Sequence, residues 1–191
     1  MTSSFGISGG GDDAEQEFRR LTGATIAPKA SVGDAMLEGD SVEIKAATTS
    51  TLNQVRAVKY IPIVALDRRT NTWYVVPAHV VVVAVSRKRR GQHTENPFES
   101  ATLNLTSLAH YKVESGELRE RTLAAIEESS RYIGLREEMA RVLASSRALA
   151  EESLARVRAR IDELGLADLV VGRGGHLGSH AAHVELFGES E

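Results

Sequence analysis

Between Trp73 and Val85 the chain reads WYVVPAHVVVVAV, thirteen residues in which only Pro77 and His79 interrupt a run of apolar side chains. The run is well short of the ~18–20 residues that a membrane span needs. It is also too continuously apolar for a surface, so it has to lie inside a core. The preceding IPIVALD (61–67) has the same character, and the turn-like RRTNT separates the two. Together they predict two strands buried on both faces, with Pro77 marking a bulge or a strand edge.

A chain of 191 residues with 42% hydrophobic content can build one sizeable core and a helical appendage. It has no cysteine, which excludes disulfides and thiolate metal sites. Asp12-Asp13 stands where a secretory signal would be basic and then apolar, so the expectation is a soluble, cytoplasmic protein with no membrane partner. The formal net charge of −3 does not advertise a polyanion partner, but its distribution is uneven. Residues 61–116 hold seven basic and four acidic side chains, whereas 164–191 hold one and four. Only five basic residues are lysines, at 29, 45, 59, 88 and 112. Lysine, unlike arginine, can lose its proton in a perturbed site.

Residues 1–11 are small, polar and glycine-rich, as a flexible leader would be. DDAEQEFRRLTG (12–23) predicts a short helix with an acidic first turn, an apolar stripe of Ala14, Phe18 and Leu21, and Gly23 as its stop. SVGDAMLEGDSVEIKAA (31–47) predicts a β-hairpin turning at Glu38-Gly39. That turn sets the register: Leu37 faces Asp40, Met36 faces Ser41, Ala35 faces Val42 and Asp34 faces Glu43. Residues 50–60 follow a Thr/Ser cluster and precede Pro62, which predicts a helix of two to three turns. Beyond the basic connector at 86–100, Glu117–Gly134 and Leu135–Leu164 are rich in strong helix formers. The spacing of Val142 and Leu149, and of Val157, Ile161 and Leu164, fits a helical hairpin or a dimer seam. The fold class is therefore α+β, a mixed central sheet flanked by helices with a helical C-terminal region. Its boundaries fall at 12–112 for the core and 113–166 for the helices, with a tail over 167–191.

The polar face of the hairpin carries the chemistry. Asp34 and Glu43 lie opposed, and Lys45 follows Glu43 by two residues on the same face. Opposed carboxylates repel unless a cation lies between them. A divalent ion resolves the repulsion, and two carboxylates with a neighbouring carbonyl suit Mg²⁺. Lys45 could then orient or deprotonate a metal-bound water. The alternative is a solvated hairpin face whose charges serve solubility.

Asp34, followed after eight residues by Glu43-Ile44-Lys45, resembles the PD-(D/E)XK nuclease superfamily, which includes type II restriction endonucleases and Holliday-junction resolvases. The resemblance spans residues 12–85. It implies a restriction-endonuclease-like fold and Mg²⁺-dependent hydrolysis of DNA phosphodiesters. Asp34, Glu43 and the Ile44 carbonyl would be metal ligands and Lys45 the catalytic lysine. Glu17, bordering the apolar stripe of the first helix, would match the supporting helix acid. Gln54 resembles the glutamine that follows the motif in several branches, although Tyr60 falls six residues later rather than four. Gly33 stands where the motif has proline.

Arg87, Lys88, Arg89 and Arg90, together with Arg56, are candidates for contacts to DNA phosphates. Equally, the run could serve as a solvated connector that blocks pairing of a strand edge, and Gln54 and Arg56 could be ordinary helix surface. His176, His180 and His183 have ligand-like spacing, but the glycines around them favour a tail. The expectation is a Mg²⁺-dependent endonuclease of the type II restriction kind acting on DNA as a homodimer. Alternatives are a branched-DNA resolvase, a hydrolase of RNA or nucleotides, and a non-catalytic DNA-binding or assembly protein.

Overall fold

The computed structural model describes residues 10–29, 32–144 and 147–169. The first helix, α1 (Gly10–Thr22), is followed by strands β1 (Thr25–Ile26), β2 (Ala35–Leu37), β3 (Asp40–Ala47) and β4 (Thr51–Val55). Next come β5 (Ile63–Asp67), β6 (Thr72–Val76), helix α2 (Ala78–Ser86), β7 (Ala101–Asn104) and β8 (Lys112–Val113). Three helices complete the described chain: α3 (Leu118–Arg131), α4 (Gly134–Ala144) and α5 (Arg147–Glu163).

Six strands form a mixed sheet in the order β1-β2-β3-β5-β6-β8. β3 and β5 run parallel, with Glu43 beside Ile63, and every other pair is antiparallel. Alternation along the central strands feeds two cores. Val64 and Leu66 of β5 join Trp73 and Val75 of β6 under α1 and α3, around Phe18 and Leu118. Ile63, Ala65, Tyr74 and Val76 point the other way, into a second core with α2, α4 and α5. All five residues of β5 are buried, as the apolar run at 61–67 predicts.

The strand expected after Pro77 is instead α2, and the correction has a physical reason. All nine residues of α2 are buried, so its valines face protein on every side, the setting in which an all-apolar helix is stable. Packing thereby overrides the preference of β-branched residues for strands. Pro77 immediately precedes the helix, and the hydroxyl of Ser129 accepts the N–H of Ala78, satisfying one donor that a helix start leaves open.

The helix expected over 50–60 is also corrected. Residues 51–55 form β4, which pairs with β7 in a separate two-stranded sheet, and only Ala57–Lys59 makes a 3-10 turn. The partner strand lies at 101–104, just past the polar connector.

The C-terminal helices form as expected, and their apolar residues Val142, Val157 and Ile161 are buried against the core that contains α2. Helices α4 and α5 pack on one another. Ala167–Leu169, placed in the tail by sequence, make a 3-10 turn with Leu169 packed on the core. The helix at the other end starts at Gly10, inside the segment read as leader. Residues 1–9 and the tail histidines at 176, 180 and 183 lie outside the described residues. No helix among the described residues is long and apolar enough to cross a membrane.

Candidate functional site

The hairpin turn places the acids. Glu38 and Gly39 both adopt positive φ, 52° and 98°, which is what a two-residue turn between twisted strands requires. The register follows as the sequence predicts, with Ala35 beside Val42, Met36 beside Ser41 and Leu37 beside Asp40. Just before β2, Gly33 has φ 153° and lies so close to β3 that a Cβ would fall 2.9 Å from the Val42 carbonyl oxygen. Proline, with φ fixed near −65°, cannot replace it.

Asp34 lies at the end of this ladder. Its N–H donates to the Val42 carbonyl at 2.9 Å, and its Oδ2 accepts the Ile44 N–H at 2.7 Å. Since the N–H and C=O of one strand residue point to the same side, the Ile44 carbonyl emerges on the Asp34 side of β3, beyond the end of β2. Burial raises the Asp34 pKa above the ordinary carboxylate value, and the Glu43 charge adds to the rise despite the Ile44 hydrogen bond. Continued by one residue, the ladder register that pairs Ala35 with Val42 sets Asp34 beside Glu43.

Glu43 is buried, and its N–H donates to the Pro62 carbonyl at 3.0 Å. Two ammonium groups hold its carboxylate: Lys45 Nζ lies 2.8 Å from Oε1 and Lys59 Nζ 2.5 Å from Oε2. Burial would raise the Glu43 pKa, but the hydrogen bonds and charges of Lys45 and Lys59 outweigh it and lower the value. Lys59 is not among the residues that the sequence singles out. It is within reach of one argument, because parallel pairing of β3 with β5 sets Ile63 beside Glu43 and returns the residues just before Ile63 to the Glu43 end.

Lys59 ends a constrained segment. Its N–H donates to the Arg56 carbonyl, the Val58 N–H donates to the Phe98 carbonyl, and Tyr60 follows with φ 49°. The Tyr60 hydroxyl meets the carbonyls of Ser129 at 3.0 Å and Tyr132 at 2.6 Å. The chain is thus fixed on both sides of the ammonium group.

The other predicted residues lie elsewhere or less directly. Glu17 is half-buried on α1, which packs on β3, but it makes no hydrogen bond or ion pair with Asp34, Glu43 or Lys45. Gln54 is exposed on β4 at φ 53°, where a bulge interrupts pairing, and its N–H donates to Gln92 Oε1 at 2.8 Å. No hydrogen bond joins it to the carboxylates. Arg56, Arg87, Lys88, Arg89 and Arg90 are all exposed. The Arg87 guanidinium reaches the Ala167 carbonyl, and Arg158 donates to the carbonyls of Ser86 and Lys88, so the start of the run is tied to the C-terminal helices.

Arg89 and Arg90 line, with Gly91–Glu95, an open cavity of about 710 Å³. This loop is built rather than merely long. The Gln92 N–H donates to the Ser100 carbonyl at 2.6 Å, the Thr94 hydroxyl donates to the Asn96 carbonyl, and Asn96 Oδ1 accepts the Phe98 N–H. A Cβ on Gly91 would lie 2.4 Å from Thr94 Oγ1 and 2.6 Å from the carbonyl oxygens of Asn96 and Ser100. Gly91→Ala is accordingly expected to cost about 1–3 kcal/mol, since backbone must move to admit the methyl group. Urea denaturation followed by circular dichroism checks this, and an unchanged midpoint would contradict the packing.

Among the described residues no three His, Cys, Asp or Glu side chains gather into a metal-binding group. The donors on hand are Asp34, Glu43 and the Ile44 carbonyl. These are hard oxygen donors of the class that Mg²⁺ takes, and both Glu43 oxygens already carry ammonium partners. The set does not fit a thiophilic or imidazole-bound metal. Neither the protein-family models nor the curated proteins compared with this chain match it.

Proposed function

We propose that this chain is a Mg²⁺-dependent endonuclease that hydrolyses DNA phosphodiesters, with a restriction-endonuclease-like core and a type II restriction-like activity. The observation that carries the reading is that Asp34, just before β2, bonds the Ile44 N–H in the middle of β3, where Glu43 and Lys45 flank Ile44 and pair with one another. The element order supports it: a helix, a three-stranded antiparallel meander bearing the acids, and then a strand parallel to the acid-bearing one. One departure from the resemblance is that β4 and a 3-10 turn occupy the crossover between β3 and β5.

Asp34, Glu43 and the Ile44 carbonyl would hold the ion, which when bound supplies Lewis-acid polarisation of the phosphodiester and a more acidic water. The protein's own groups do the rest. Burial keeps the Asp34 carboxylate reluctant to stay charged without a cation, so a cation is favoured there. Lys45 is the less buried of the two lysines, and from Glu43 Oε1 its ammonium offsets negative charge developing on phosphate oxygens.

The cavity loop supplies the cationic surface for DNA. Arg89→Ala with Arg90→Ala is expected to weaken duplex binding at every sequence tested. It should also flatten the salt dependence of log K by roughly 0.9 for each phosphate that is no longer neutralised. Fluorescence anisotropy at several salt concentrations measures both, and an unchanged slope would remove this loop from the interface.

The function is tested with supercoiled plasmid and a four-way junction, each with Mg²⁺ and with EDTA, using the full chain and Lys45→Ala at equal folded concentration. Metal-dependent cutting of the plasmid that Lys45→Ala abolishes is the expected result. Preference for the junction would reassign the enzyme to branched-DNA resolution. Mg²⁺-independent binding without cutting, unaffected by Lys45→Ala, would make it a binding protein.

A further inference from the structure

We infer that Lys59 is a built-in cation of this site, competing for Glu43 so that the carboxylate pair takes up a single divalent ion and holds it weakly until substrate arrives. The inference rests on the metal-dependent reading above and concerns a residue outside the Asp34, Glu43, Lys45 motif.

Three observations carry it. First, both oxygens of Glu43 are already taken, one by Lys45 at 2.8 Å and the other by Lys59 at 2.5 Å. A metal ligated by Glu43 must share or displace one of these partners. Second, Lys59 does not behave as a surface lysine that swings away at no cost. Its side chain is 14% exposed, and the backbone on either side is fixed by the Phe98 carbonyl and the left-handed Tyr60. Third, the formal charges of Asp34, Glu43, Lys45 and Lys59 cancel. One divalent ion leaves an excess of two positive charges that an incoming phosphate can offset, whereas a second would double that excess with, among the described residues, no third acid gathered with these two to take it up.

Lys59 is therefore a positioning residue. By holding Glu43 Oε2 it raises the concentration at which the ion binds. Removing the ammonium should tighten metal binding, an outcome that damage to the fold would not produce.

The test is titration of the full chain with Mn²⁺ in the absence of DNA, reading free Mn²⁺ by electron paramagnetic resonance. Wild type, Lys59→Met, Lys59→Arg and Asp34→Asn are compared, with circular dichroism as the folding control. The expected result is one ion per wild-type chain, at least tenfold tighter binding in Lys59→Met, near wild-type affinity in Lys59→Arg, and loss of the ion in Asp34→Asn. Two ions on the wild-type chain would overturn the inference, and that observation needs no variant. So would unchanged or weaker affinity in Lys59→Met while Asp34→Asn still abolishes binding. Failure of the wild-type chain to bind Mn²⁺, or binding that survives Asp34→Asn, would overturn the underlying metal site as well.

Discussion

Asp34→Asn is expected to abolish Mg²⁺-dependent cleavage and, at neutral pH, to raise the melting temperature. Loss of one of two carboxylate ligands removes several kcal/mol of charge stabilisation, so the rate should fall about 10³-fold or more. The gain in stability has a separate origin. Burial and the Glu43 charge raise the Asp34 pKa in the folded chain above 3.8, so ionised Asp34 opposes folding at neutral pH. Asparagine is uncharged, and its side-chain oxygen can still accept the Ile44 N–H. The penalty exists only where Asp34 is ionised: it grows as pH rises from below 3.8 through the folded-state value and vanishes below 3.8. Melts at roughly pH 7 and pH 3 should show the variant ahead at the former and level with wild type at the latter. Glu43 acts in the opposite sense. Its lowered pKa contributes stability that is present above its unfolded value of 4.5 and lost as pH falls through the folded value. A variant that lost stability at neutral pH would mean that Asp34 is structural.

The largest expected loss of stability follows Phe98→Ala. Phe98 is fully buried in the core that includes α2, so truncation removes apolar contacts on every side of the ring. The substitution should cost about 3–5 kcal/mol, a large part of the roughly 5–15 kcal/mol that separates folded from unfolded domains. Urea titration should show a lower midpoint with an unchanged slope. A loss below about 1 kcal/mol would show that the loop collapses into the space. Because the Phe98 carbonyl accepts the Val58 N–H next to Lys59, this substitution should also loosen the Lys59–Glu43 ion pair in the folded fraction.

What the sequence discloses and what it withholds divide along a physical line. The hairpin is legible because Glu38-Gly39 admits the two positive φ values of a tight turn, and a turn of known length fixes which residues pair. Burial of β5 is legible from unbroken apolar character, and the C-terminal helices from helix-forming composition. For Val80–Val85 the same apolar signal indicates the right environment and the wrong element. Full burial erases the periodicity that tells strand from helix, and the helix is selected by its packing between the sheet and the C-terminal helices. Thr51–Val55 misleads for the complementary reason. Its strand exists through pairing with Ala101–Asn104, about fifty residues away, which no local pattern encodes. In the candidate site, the local part of the constellation, Asp34 with Glu43-Ile44-Lys45, is readable from one hairpin. Lys59 is not, because it reaches Glu43 only through the parallel pairing of β3 with β5. Gln54 is tied to the acids by the resemblance alone, and it lies exposed on β4, hydrogen-bonded to Gln92.

The most direct test of the central claim is incubation of supercoiled plasmid with the full wild-type chain and Mg²⁺, with an EDTA control, followed by end-labelling of the products. The account predicts nicked or linear DNA in Mg²⁺ and intact supercoils in EDTA, with ends that report hydrolysis of the phosphodiester. Supercoils that stay intact in Mg²⁺ and in Mn²⁺, with a protein shown to be folded and bound to DNA, would contradict it.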